Sequence, residues 1–333
     1  MKAVQIDRYS KKTEAKVRNI SVPEIEAGEI LVKVRASAVN PLEILIMTGK
    51  IKLIAGYKFP LTLGNECAGI VEKVGAEVKE FAVGDRVYAR LPIGKIGALA
   101  EYVAISADAV AKMPEGYDFA TAAAIPLTGL TAYQAIVEEL RAKPKESLFI
   151  PGGSGSFGQM AVPIAKSLGL KVIVSGNDRA ESSIRAAGAD EYIDYKRIDY
   201  AAVLKDIDCI IDTLGAGEFE KELSVLKRGG RLVSLRGIPD RDFAERHGIK
   251  GIRKFLFSLA GRKFDHMAKA QGKKYSFVFV RSDGEQLKKI TRIVEEKRIA
   301  PPVDSHHFNI DDINTALQLV KNGNANGKVV IRF

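Results

Sequence analysis

A glycine-rich turn carries the clearest chemical signal in the sequence. Residues 147–158 read Ser-Leu-Phe-Ile-Pro-Gly-Gly-Ser-Gly-Ser-Phe-Gly, and from Gly153 the spacing is G-x-G-x-x-G through Gly155 and Gly158. The apolar run 148–150 precedes the turn, and a helical pattern at 159–168 and a second apolar run at 171–174 follow it. This order predicts a βαβ unit, which is the context in which the spacing indicates a dinucleotide site.

Each glycine of the turn has a physical reason in such a site. Gly153 allows a tight turn, Gly155 lacks the Cβ that would keep a pyrophosphate away from the backbone, and Gly158 allows close packing of helix and strand. The unpaired N–H groups at the start of the helix face the phosphates. The alternative is a glycine-rich turn that binds no nucleotide. The predicted binding turn contains Gly153, Ser154, Gly155, Ser156, Phe157 and Gly158.

Composition indicates a globular protein of about two domains. The chain has 333 residues, of which 46% are hydrophobic and 28% charged, and chains of this length usually divide into two domains. The longest apolar runs fall short of the ~20 residues of a transmembrane helix, and residues 1–7 read as a strand rather than a signal peptide. Cys67 and Cys209 lie far apart and suggest neither a disulfide framework nor a zinc cluster. We therefore expect a cytoplasmic protein without a membrane partner.

Positive charge is concentrated in one segment. The chain has a formal net charge of +10, and residues 241–274 contain ten Lys or Arg against three Asp or Glu. Such a segment can attract nucleic acid or anionic lipid, or it can be a solvated helical surface near a phosphate-bearing cofactor. Residues 252–259 have the pattern of an amphipathic helix that could cover an active site, contact another subunit or bind nucleic acid weakly.

The element pattern changes near residue 117. Before it, short alternating strands separated by turns predict a small β-barrel. After it, helical patterns alternate with apolar strands at 148–150, 171–174, 209–212 and 231–235, which indicates a parallel sheet covered on both faces. The sequence returns to a helix–strand pattern after residue 282.

With these motifs in view, the chain resembles the medium-chain dehydrogenase/reductase superfamily, in its zinc-free quinone oxidoreductase-like branch. The resemblance runs nearly end to end and includes motifs on both sides of the glycine turn. The motifs are residues 38–43 (Ala-Val-Asn-Pro-Leu-Glu), 64–75, 84–87, 127–133, 188–190 (Gly-Ala-Asp), 227–233 and 327–330 (Gly-Lys-Val-Val).

The resemblance implies an α/β architecture in which a Rossmann doubly wound parallel sheet is inserted into a GroES-like β-barrel catalytic domain. The implied domains are 1–118 for the first part of the catalytic domain, 119–281 for the Rossmann NADP-binding domain, and 282–333 for the return to the catalytic domain. It also implies an active site in the cleft between the domains and a homodimer.

The residues present argue against a metal ion. Zinc alcohol dehydrogenases of this superfamily carry an early Cys and a His before the Glu of a G-H-E motif. Here that triplet is Gly64-Asn65-Glu66, and residues 36–43 contain no Cys. Zinc needs Cys, His or carboxylate ligands gathered at one point, so we expect no zinc, and a zinc alcohol dehydrogenase is disfavoured.

Charge at the end of the second Rossmann strand favours NADPH. NAD enzymes usually place an acid there for the ribose 2′-hydroxyl, whereas the resemblance puts Ser175 at this position. Asn177 follows, Arg179 could pair with a 2′-phosphate, and Tyr195 matches a tyrosine that contacts this phosphate in similar proteins. Asp178 is an acid nearby, and the interpretation requires that it point to solvent.

The resemblance also suggests residues near the reacting groups. Asn40 is placed near the nicotinamide, although it could equally be a helix N-cap, and Tyr57 lies where relatives carry substrate-facing tyrosines, although it could be a surface or core aromatic. Further implied cofactor contacts are Thr128, Leu214 and Phe279.

We therefore expect an NADPH-dependent reductase of quinones or α,β-unsaturated carbonyl compounds. Without zinc there is no Lewis acid to polarise an alcohol oxygen, and activated acceptors need only hydride transfer and a proton from solvent. The alternative is an NADPH-binding protein whose main role is nucleic-acid binding or regulation, which the basic segment would explain. The sequence leaves the acceptor, any proton donor, the oligomeric state and the role of residues 240–274 open.

Overall fold

The chain forms two compact units in a computed structural model that describes all residues from Met1 to Phe333. The first unit contains Met1–Leu130 and Arg281–Phe333, and the second contains Thr131–Val280. The second unit is thus inserted into the first along the chain. Residues 119–130, which the sequence analysis grouped with the Rossmann domain, lie in the first unit.

Short strands dominate the N-terminal part of the chain. The sequence pattern predicts alternating burial, because successive strand residues point to opposite faces of a sheet. In the structure most strand residues are buried on both faces, and clear alternation is limited to the middle of the longest strand, where Lys33 and Arg35 are exposed on either side of Val34. The elements are β1 (Lys2–Ile6), β2 (Lys16–Asn19), β3 (Glu29–Val39), α1 (Pro41–Met47), β4 (Leu61–Thr62), β5 (Glu66–Val74), β6 (Arg86–Arg90), β7 (Tyr102–Ser106), β8 (Val110–Lys112), α2 (Phe119–Ala123) and α3 (Pro126–Gln134).

One helical stretch in this region differs from the sequence expectation. The successive turns from Phe119 to Glu139 are together long and apolar enough to cross a membrane, but 78% of the most apolar window is buried inside the protein. Pro126 and the preceding turn interrupt the pattern in the sequence, so the two helices read there as separate short segments. The burial is that of a core helix.

The second unit alternates strands and helices. Its strands are short apolar runs, and several helices begin at a side-chain cap, such as Asp240 before the first helix of the basic segment, whose side chain accepts from Phe243 N. The elements are β9 (Ser147–Ile150), α4 (Ser156–Ser167), β10 (Lys171–Gly176), α5 (Glu181–Ala186), β11 (Glu191–Asp194), α6 (Tyr200–Val203), β12 (Ile207–Asp212), α7 (Phe219–Val225), β13 (Leu226–Ser234), α8 (Arg241–Arg246), α9 (Gly251–Ala270) and β14 (Lys274–Phe277).

All six strands of this unit are parallel, in the order β11-β10-β9-β12-β13-β14. Counted from β9, this order is 3-2-1-4-5-6, the doubly wound Rossmann arrangement. The order reverses between β9 and β12, and ligands of such sheets bind beyond the carboxyl ends of the strands at that point. The glycine turn follows β9, so the topology places it where a dinucleotide would bind.

The last part of the chain completes the first unit. It adds α10 (Gly284–Lys297), β15 (Phe308–Asn309), α11 (Ile313–Lys321) and β16 (Val329–Arg332). Strand β16 pairs antiparallel with β3, from Val329 opposite Val39 to Arg332 opposite Ala36. The resulting seven-stranded sheet runs β15-β16-β3-β5-β6-β8, with β7 also paired to β3. Pairing with β3 brings the C-terminal residues beside the N-terminal polar residues of the candidate site.

Candidate cofactor and active site

The glycine turn connects β9 to α4 in the second unit. Its left-handed residue is Gly152, with φ +66°, whereas Gly153 has no positive φ. The assignment of the tight turn to Gly153 is therefore corrected. Gly153 is needed for a different reason, because a Cβ there would lie 2.8 Å from Ile150 Cγ2 and 2.9 Å from Val174 Cγ1. The G-x-G-x-x-G spacing begins at Gly153, so the prediction overlooked Gly152, the neighbouring glycine at which the chain bends.

Gly155 and Gly158 fit the requirements of a dinucleotide site. A Cβ at Gly158 would lie 1.7 Å from Gly153 O, so only glycine lets α4 approach the turn. Gly155 is the N-cap of α4, and a Cβ added to it would meet nothing within 4 Å. The open space lies at the start of a twelve-residue helix, where unpaired backbone N–H groups attract a phosphate. The turn thus leaves open space at the helix start, as a dinucleotide site requires.

The end of β10 has no carboxylate. Ser175 is buried, and its Oγ accepts a hydrogen bond from Gly152 N at 3.3 Å, which links the strand end to the glycine turn. Asn177 caps the following turn by accepting from Ala180 N at 3.2 Å. Its backbone oxygen accepts from the hydroxyl of Tyr192 at 2.6 Å. The rigid strand end presents neutral groups where an NAD enzyme usually has an acid.

The nearby acid Asp178 is paired with a lysine. Asp178 Oδ1 lies 3.4 Å from Lys196 Nζ, both side chains are exposed, and the lysine lowers the pKa of the carboxyl. Arg179 and Tyr195 are exposed on the same edge of the sheet. The acid that weakened the NADPH interpretation is thus partly neutralised, and an arginine stands beside it.

The loop after β12 is organised by a residue that the sequence analysis missed. Asp212 ends β12, and its Oδ1 accepts from both Leu214 N and Gly215 N at 2.7 Å. This carboxylate fixes Leu214, whose side chain is exposed. An Asp at a strand end before a glycine loop was the available signal. Phe279, a further predicted contact, lies half-buried just after β14.

A buried acid lies near this loop, and neither of its carboxyl oxygens has a hydrogen-bond partner. The acid is Glu222, which is fully buried on α7. Burial, with the Asp212 carboxylate as the next cause, raises the pKa of Glu222 to about 9. A shift in this direction favours the neutral form of the side chain.

A cluster of buried polar side chains lies in the first unit, and we call it the polar cluster. It centres on Glu66, whose Oε1 accepts from Asn40 Nδ2 at 2.9 Å and whose Oε2 accepts from Leu127 N at 2.6 Å. Lys328 Nζ lies 2.9 Å from the same Oε1. The members come from three distant parts of the chain: Asn40, Glu43, Asn65, Glu66 and Lys328.

Asn40 is held at both its backbone and its side chain. It is the N-cap of α1, as one interpretation predicted, with Pro41 at the first helical position. Its backbone N donates to Glu43 Oε2 at 2.6 Å, and its amide nitrogen also approaches Ala38 O at 3.3 Å. Both amide N–H groups thus point at fixed acceptors, so Asn40 can orient neighbouring groups but has no spare N–H to donate.

Glu43 links Asn40 to Asn65. Its Oε1 accepts from Asn65 Nδ2 at 2.5 Å, and Asn65 Oδ1 has no partner. Burial raises the pKa of Glu43 to about 7, against the lowering effect of the Asn65 and Asn40 hydrogen bonds. A carboxyl with such a pKa changes its protonation state near neutral pH.

Arg90 is a buried cation that the sequence analysis did not single out. It lies opposite Glu66 in the pairing of β5 with β6, and it is fully buried. Its Nη1 donates to Leu91 O, whereas Nε and Nη2 have no partner. Burial lowers the pKa of Arg90 to about 10, and Tyr57, Glu66 and Glu43 oppose that shift.

The two remaining predicted residues of this unit have internal hydrogen bonds. Tyr57 is partly buried, and its hydroxyl donates to Ile93 O at 2.8 Å. Thr128 Oγ1 donates to Ala124 O at 3.1 Å within the helical stretch that follows α2. Asn40 and Leu127, the residue before Thr128, both donate hydrogen bonds to Glu66. Tyr57 is not hydrogen-bonded to the polar cluster.

The residues do not fit a metal ion. No group of three or more His, Cys, Asp or Glu side chains is arranged to hold one. The position before Glu66 is an amide that is already bonded to Glu43, and Lys328 puts a positive charge against Glu66. The donor set therefore lacks the thiolate and imidazole ligands that zinc prefers.

Comparison with known proteins identifies the family. The family described as alcohol dehydrogenase GroES-like domain matches residues 26–115, and that described as zinc-binding dehydrogenase matches residues 187–331. A human quinone oxidoreductase is 33% identical over 81% of this chain and 84% of its own length. The chloroplastic NADPH-dependent alkenal/one oxidoreductase of Arabidopsis thaliana is 30% identical over 94% of this chain and 74% of its own length.

A solved structure agrees with the sequence comparisons. The quinone oxidoreductase from Coxiella burnetii superposes with a TM-score of 0.83 over 100% of this chain and 99% of its own, at 26% identity. The chain belongs to the medium-chain dehydrogenase/reductase family. The predicted family and the Rossmann and GroES-like fold are thereby confirmed. The description "zinc-binding" applies to that family as a whole and is not matched by the side chains found here.

Proposed function

We propose that this protein is an NADPH-dependent oxidoreductase that reduces quinones or α,β-unsaturated carbonyl compounds without a metal ion. The observation that carries the proposal is the open space over Gly155 at the start of α4, next to a strand end that carries Ser175 instead of an acid. The relatives named above, a quinone oxidoreductase and an NADPH-dependent alkenal/one oxidoreductase, support this reaction class.

Residues of the second unit would bind the cofactor. The backbone of residues 153–158 receives the pyrophosphate, because the helix start supplies N–H donors and positive potential. Arg179 pairs with the 2′-phosphate, while Ser175, Asn177 and Tyr195 complete this subsite without adding negative charge. Leu214, held by Asp212, and Phe279 contact the nicotinamide end.

The reaction needs little from the side chains besides binding and orientation. NADPH supplies the hydride. The side-chain amide of Asn40 donates to Glu66 and Ala38 O. The hydroxyl of Tyr57 donates to Ile93 O. Neither side chain therefore has a free donor for the substrate. The proton that completes the reduction therefore comes from solvent, which suits quinones and enones, because their reduced forms carry stabilised negative charge on oxygen.

Two further proposals concern the oligomeric state of the protein and its location in the cell. We propose that it acts as a homodimer and that it resides in the cytoplasm. Sedimentation of the purified protein tests the first, and fractionation of cells that express the full chain tests the second. A monomeric mass at micromolar concentration would contradict the dimer.

The cofactor experiment compares NADPH and NADH binding by Arg179→Gln with the matched control Arg197→Gln. Both arginines are exposed, but Arg179 follows β10, whereas Arg197 follows the neighbouring strand β11 and pairs with Asp194 at 3.3 Å. We expect Arg179→Gln to weaken NADPH binding at least about tenfold, since a hydrogen bond to a charged group contributes about 1.5–3 kcal/mol, and to leave NADH binding unchanged. Arg197→Gln should change neither.

Turnover with a panel of quinones and enones then tests the reaction. NADPH oxidation that depends on the acceptor and survives exhaustive treatment with a chelator is the expected result. Absence of NADPH binding would contradict the cofactor site. Binding without turnover on any acceptor would contradict the reductase function, and stoichiometric zinc in the active protein would contradict the metal-free reaction.

A further inference from the structure

The outer face of α9 exposes an unusual set of large apolar side chains. Ile252, Phe255, Leu256 and Leu259 are 70%, 61%, 40% and 59% exposed. Their spacing of three and four residues puts them on one side of the helix. Single exposed apolar residues are common on protein surfaces, whereas a contiguous stripe indicates an interaction site.

The opposite face of α9 is anchored in the second unit. Phe257, Gly261, Phe264 and Ala268 are buried there. A Cβ at Gly261 would lie 2.6 Å from Asp240 Cα, so the helix packs directly on the backbone before α8. Phe264 also makes an edge-to-face contact with Phe219 at 4.9 Å between ring centroids. This packing fixes the rotation of the helix, and the outer stripe cannot turn inward.

Positive charges border the apolar stripe. Arg253, Arg262 and Lys263 are exposed and form no ion pair, while Lys254 pairs with Glu245 at 3.0 Å. The single acid of the helix, Asp265, lies 3.6 Å from Lys269. By helical spacing, Lys263 continues the stripe one turn beyond Leu259, and Arg262 lies beside it. The outer face is therefore apolar in its first half and cationic in its second.

We propose that this face of α9 docks on the surface of a membrane that contains anionic phospholipid. A helix that presents large apolar residues beside Lys and Arg lies in the interfacial plane of a bilayer, with the apolar side chains inserted and the cations at the headgroups. The docking is peripheral, and it revises the expectation from sequence that no membrane is a partner.

Charge and side-chain type favour an anionic membrane over two other partners for this face, a second copy of the chain and a nucleic acid. A second copy of the chain would bring two segments with the same excess of seven positive charges together, which electrostatic repulsion opposes. A nucleic acid could pair its phosphates with the cations. Sites for single-stranded nucleic acid, however, combine basic grooves with aromatic side chains on which bases stack, and three of the four apolar residues here are aliphatic. Acyl chains are the partner that suits Ile252, Leu256 and Leu259.

The test is flotation of the full-length protein with vesicles of phosphatidylcholine alone and with an equimolar mixture of phosphatidylcholine and phosphatidylglycerol. We expect binding to the mixed vesicles that weakens with added salt, and little binding to phosphatidylcholine alone. The double variant Phe255→Ser, Leu259→Ser should lose binding while its melting temperature stays unchanged. The double variant Arg262→Gln, Lys263→Gln should lower the partition coefficient about 5-fold for each charge removed.

A matched control replaces exposed apolar residues elsewhere. Val83→Ser and Val203→Ser remove exposed valines that lie outside α9, and we expect these variants to bind vesicles as the unaltered protein does. The proposal is overturned if the unaltered protein does not bind mixed vesicles, or if the α9 variants bind them equally well. Two other results would also overturn it, if the α9 variants still bind vesicles. One is a change in the sedimentation mass, which would indicate contact with a second copy, and the other is loss of binding to an RNA duplex.

Discussion

Lys328 Nζ lies 2.9 Å from Glu66 Oε1, and the side chains are only 4% and 0% exposed. Lys328 directly precedes β16, and Glu66 begins β5. The ion pair therefore joins the last strand of the chain to the N-terminal sheet at the centre of the polar cluster. No other acceptor contacts the ammonium group, so the charge of Lys328 depends on Glu66, whereas Glu66 also accepts hydrogen bonds from Asn40 and Leu127.

Replacing Lys328 by Met should destabilise the first unit strongly. The substitution removes the cation that lies 2.9 Å from the Glu66 carboxylate, and Arg90, whose guanidinium donates to Leu91 O rather than to Glu66, does not replace that contact. Removal of one partner of a buried pair costs about 3–5 kcal/mol. The free energy of unfolding from denaturant titration measures the loss. Adding Glu66→Gln should recover part of it, because the uncompensated charge disappears.

The matched control for this prediction is an exposed ion pair. Lys2 Nζ lies 2.9 Å from Asp311 Oδ2, with 45% and 62% of the side chains exposed. Lys2→Met should change stability by less than about 1 kcal/mol. Equal effects of the two substitutions would show that burial does not decide the energy of the Glu66–Lys328 pair.

Glu43 should make stability fall as the pH rises from 4.5 to about 7. Its pKa is raised by burial from an ordinary 4.5 to about 7. Between these values the folded state holds a proton that the unfolded state has lost, so the stabilising contribution is complete below pH 4.5 and disappears by about pH 7. The difference corresponds to about 3 kcal/mol, at 1.36 kcal/mol for each unit.

Glu43→Gln tests this pH dependence. The glutamine oxygen can still accept from Asn40 N. Its amide meets Asn65 Nδ2, which is also a donor, so the Asn65 amide must flip to present its Oδ1, which has no partner, as the acceptor. We expect the variant to match the original stability at pH 5 and to exceed it at pH 8. Parallel curves for the two proteins from pH 5 to pH 8 would be inconsistent with a raised pKa of Glu43.

Two glycine substitutions separate folding from cofactor binding. Gly158→Ala places a Cβ 1.7 Å from Gly153 O, so the turn must distort and both the melting temperature and NADPH affinity should fall. Gly155→Ala meets no protein atom within 4 Å and should leave the melting temperature unchanged. Its Cβ projects into the space proposed for the pyrophosphate, so we expect at least about tenfold weaker NADPH binding, or about 1.4 kcal/mol. Unchanged affinity in Gly155→Ala would contradict the proposed site.

Arg90→Met should be neutral or stabilising. The guanidinium is fully buried, and two of its nitrogens have no partner. Methionine fills similar volume and removes the two nitrogens without partners, and a buried polar group left without a partner costs about 1–3 kcal/mol. Denaturant titration at pH 7 measures the change, with Arg90→Lys as the comparison that keeps a charge. A large loss of stability in Arg90→Met would indicate that the cation is needed to balance Glu43 and Glu66.

Much of the second unit could be predicted because its signals are local. The apolar run of β9, the glycine turn and the helical pattern of α4 follow one another directly, and the parallel sheet follows from alternating strands and helices. Ser175 and Asn177 were placed at a strand end by the resemblance to the family. The residue with positive φ was misplaced by one position, because the motif spacing does not distinguish Gly152 from Gly153 as the bend.

The polar cluster could be predicted only in part. The Asn40-Pro41 start of α1 was recognised, and Glu66 was noticed beside Asn65, but neither Lys328 nor Arg90 was singled out. Lys328 stands 262 positions after Glu66 in the sequence, and no local pattern indicates that the two side chains meet. Their contact depends on the pairing of β16 with β3 and of β3 with β5.

The sequence by itself determined the family, the order of the units along the chain and the glycine turn for a dinucleotide, since these depend on residues close together and on their spacing. Tertiary structure alone decided which buried charges face each other, which acid has its pKa raised, and which face of α9 stays outside. Those properties depend on sheet register and burial, and both arise from contacts between residues that are distant along the chain.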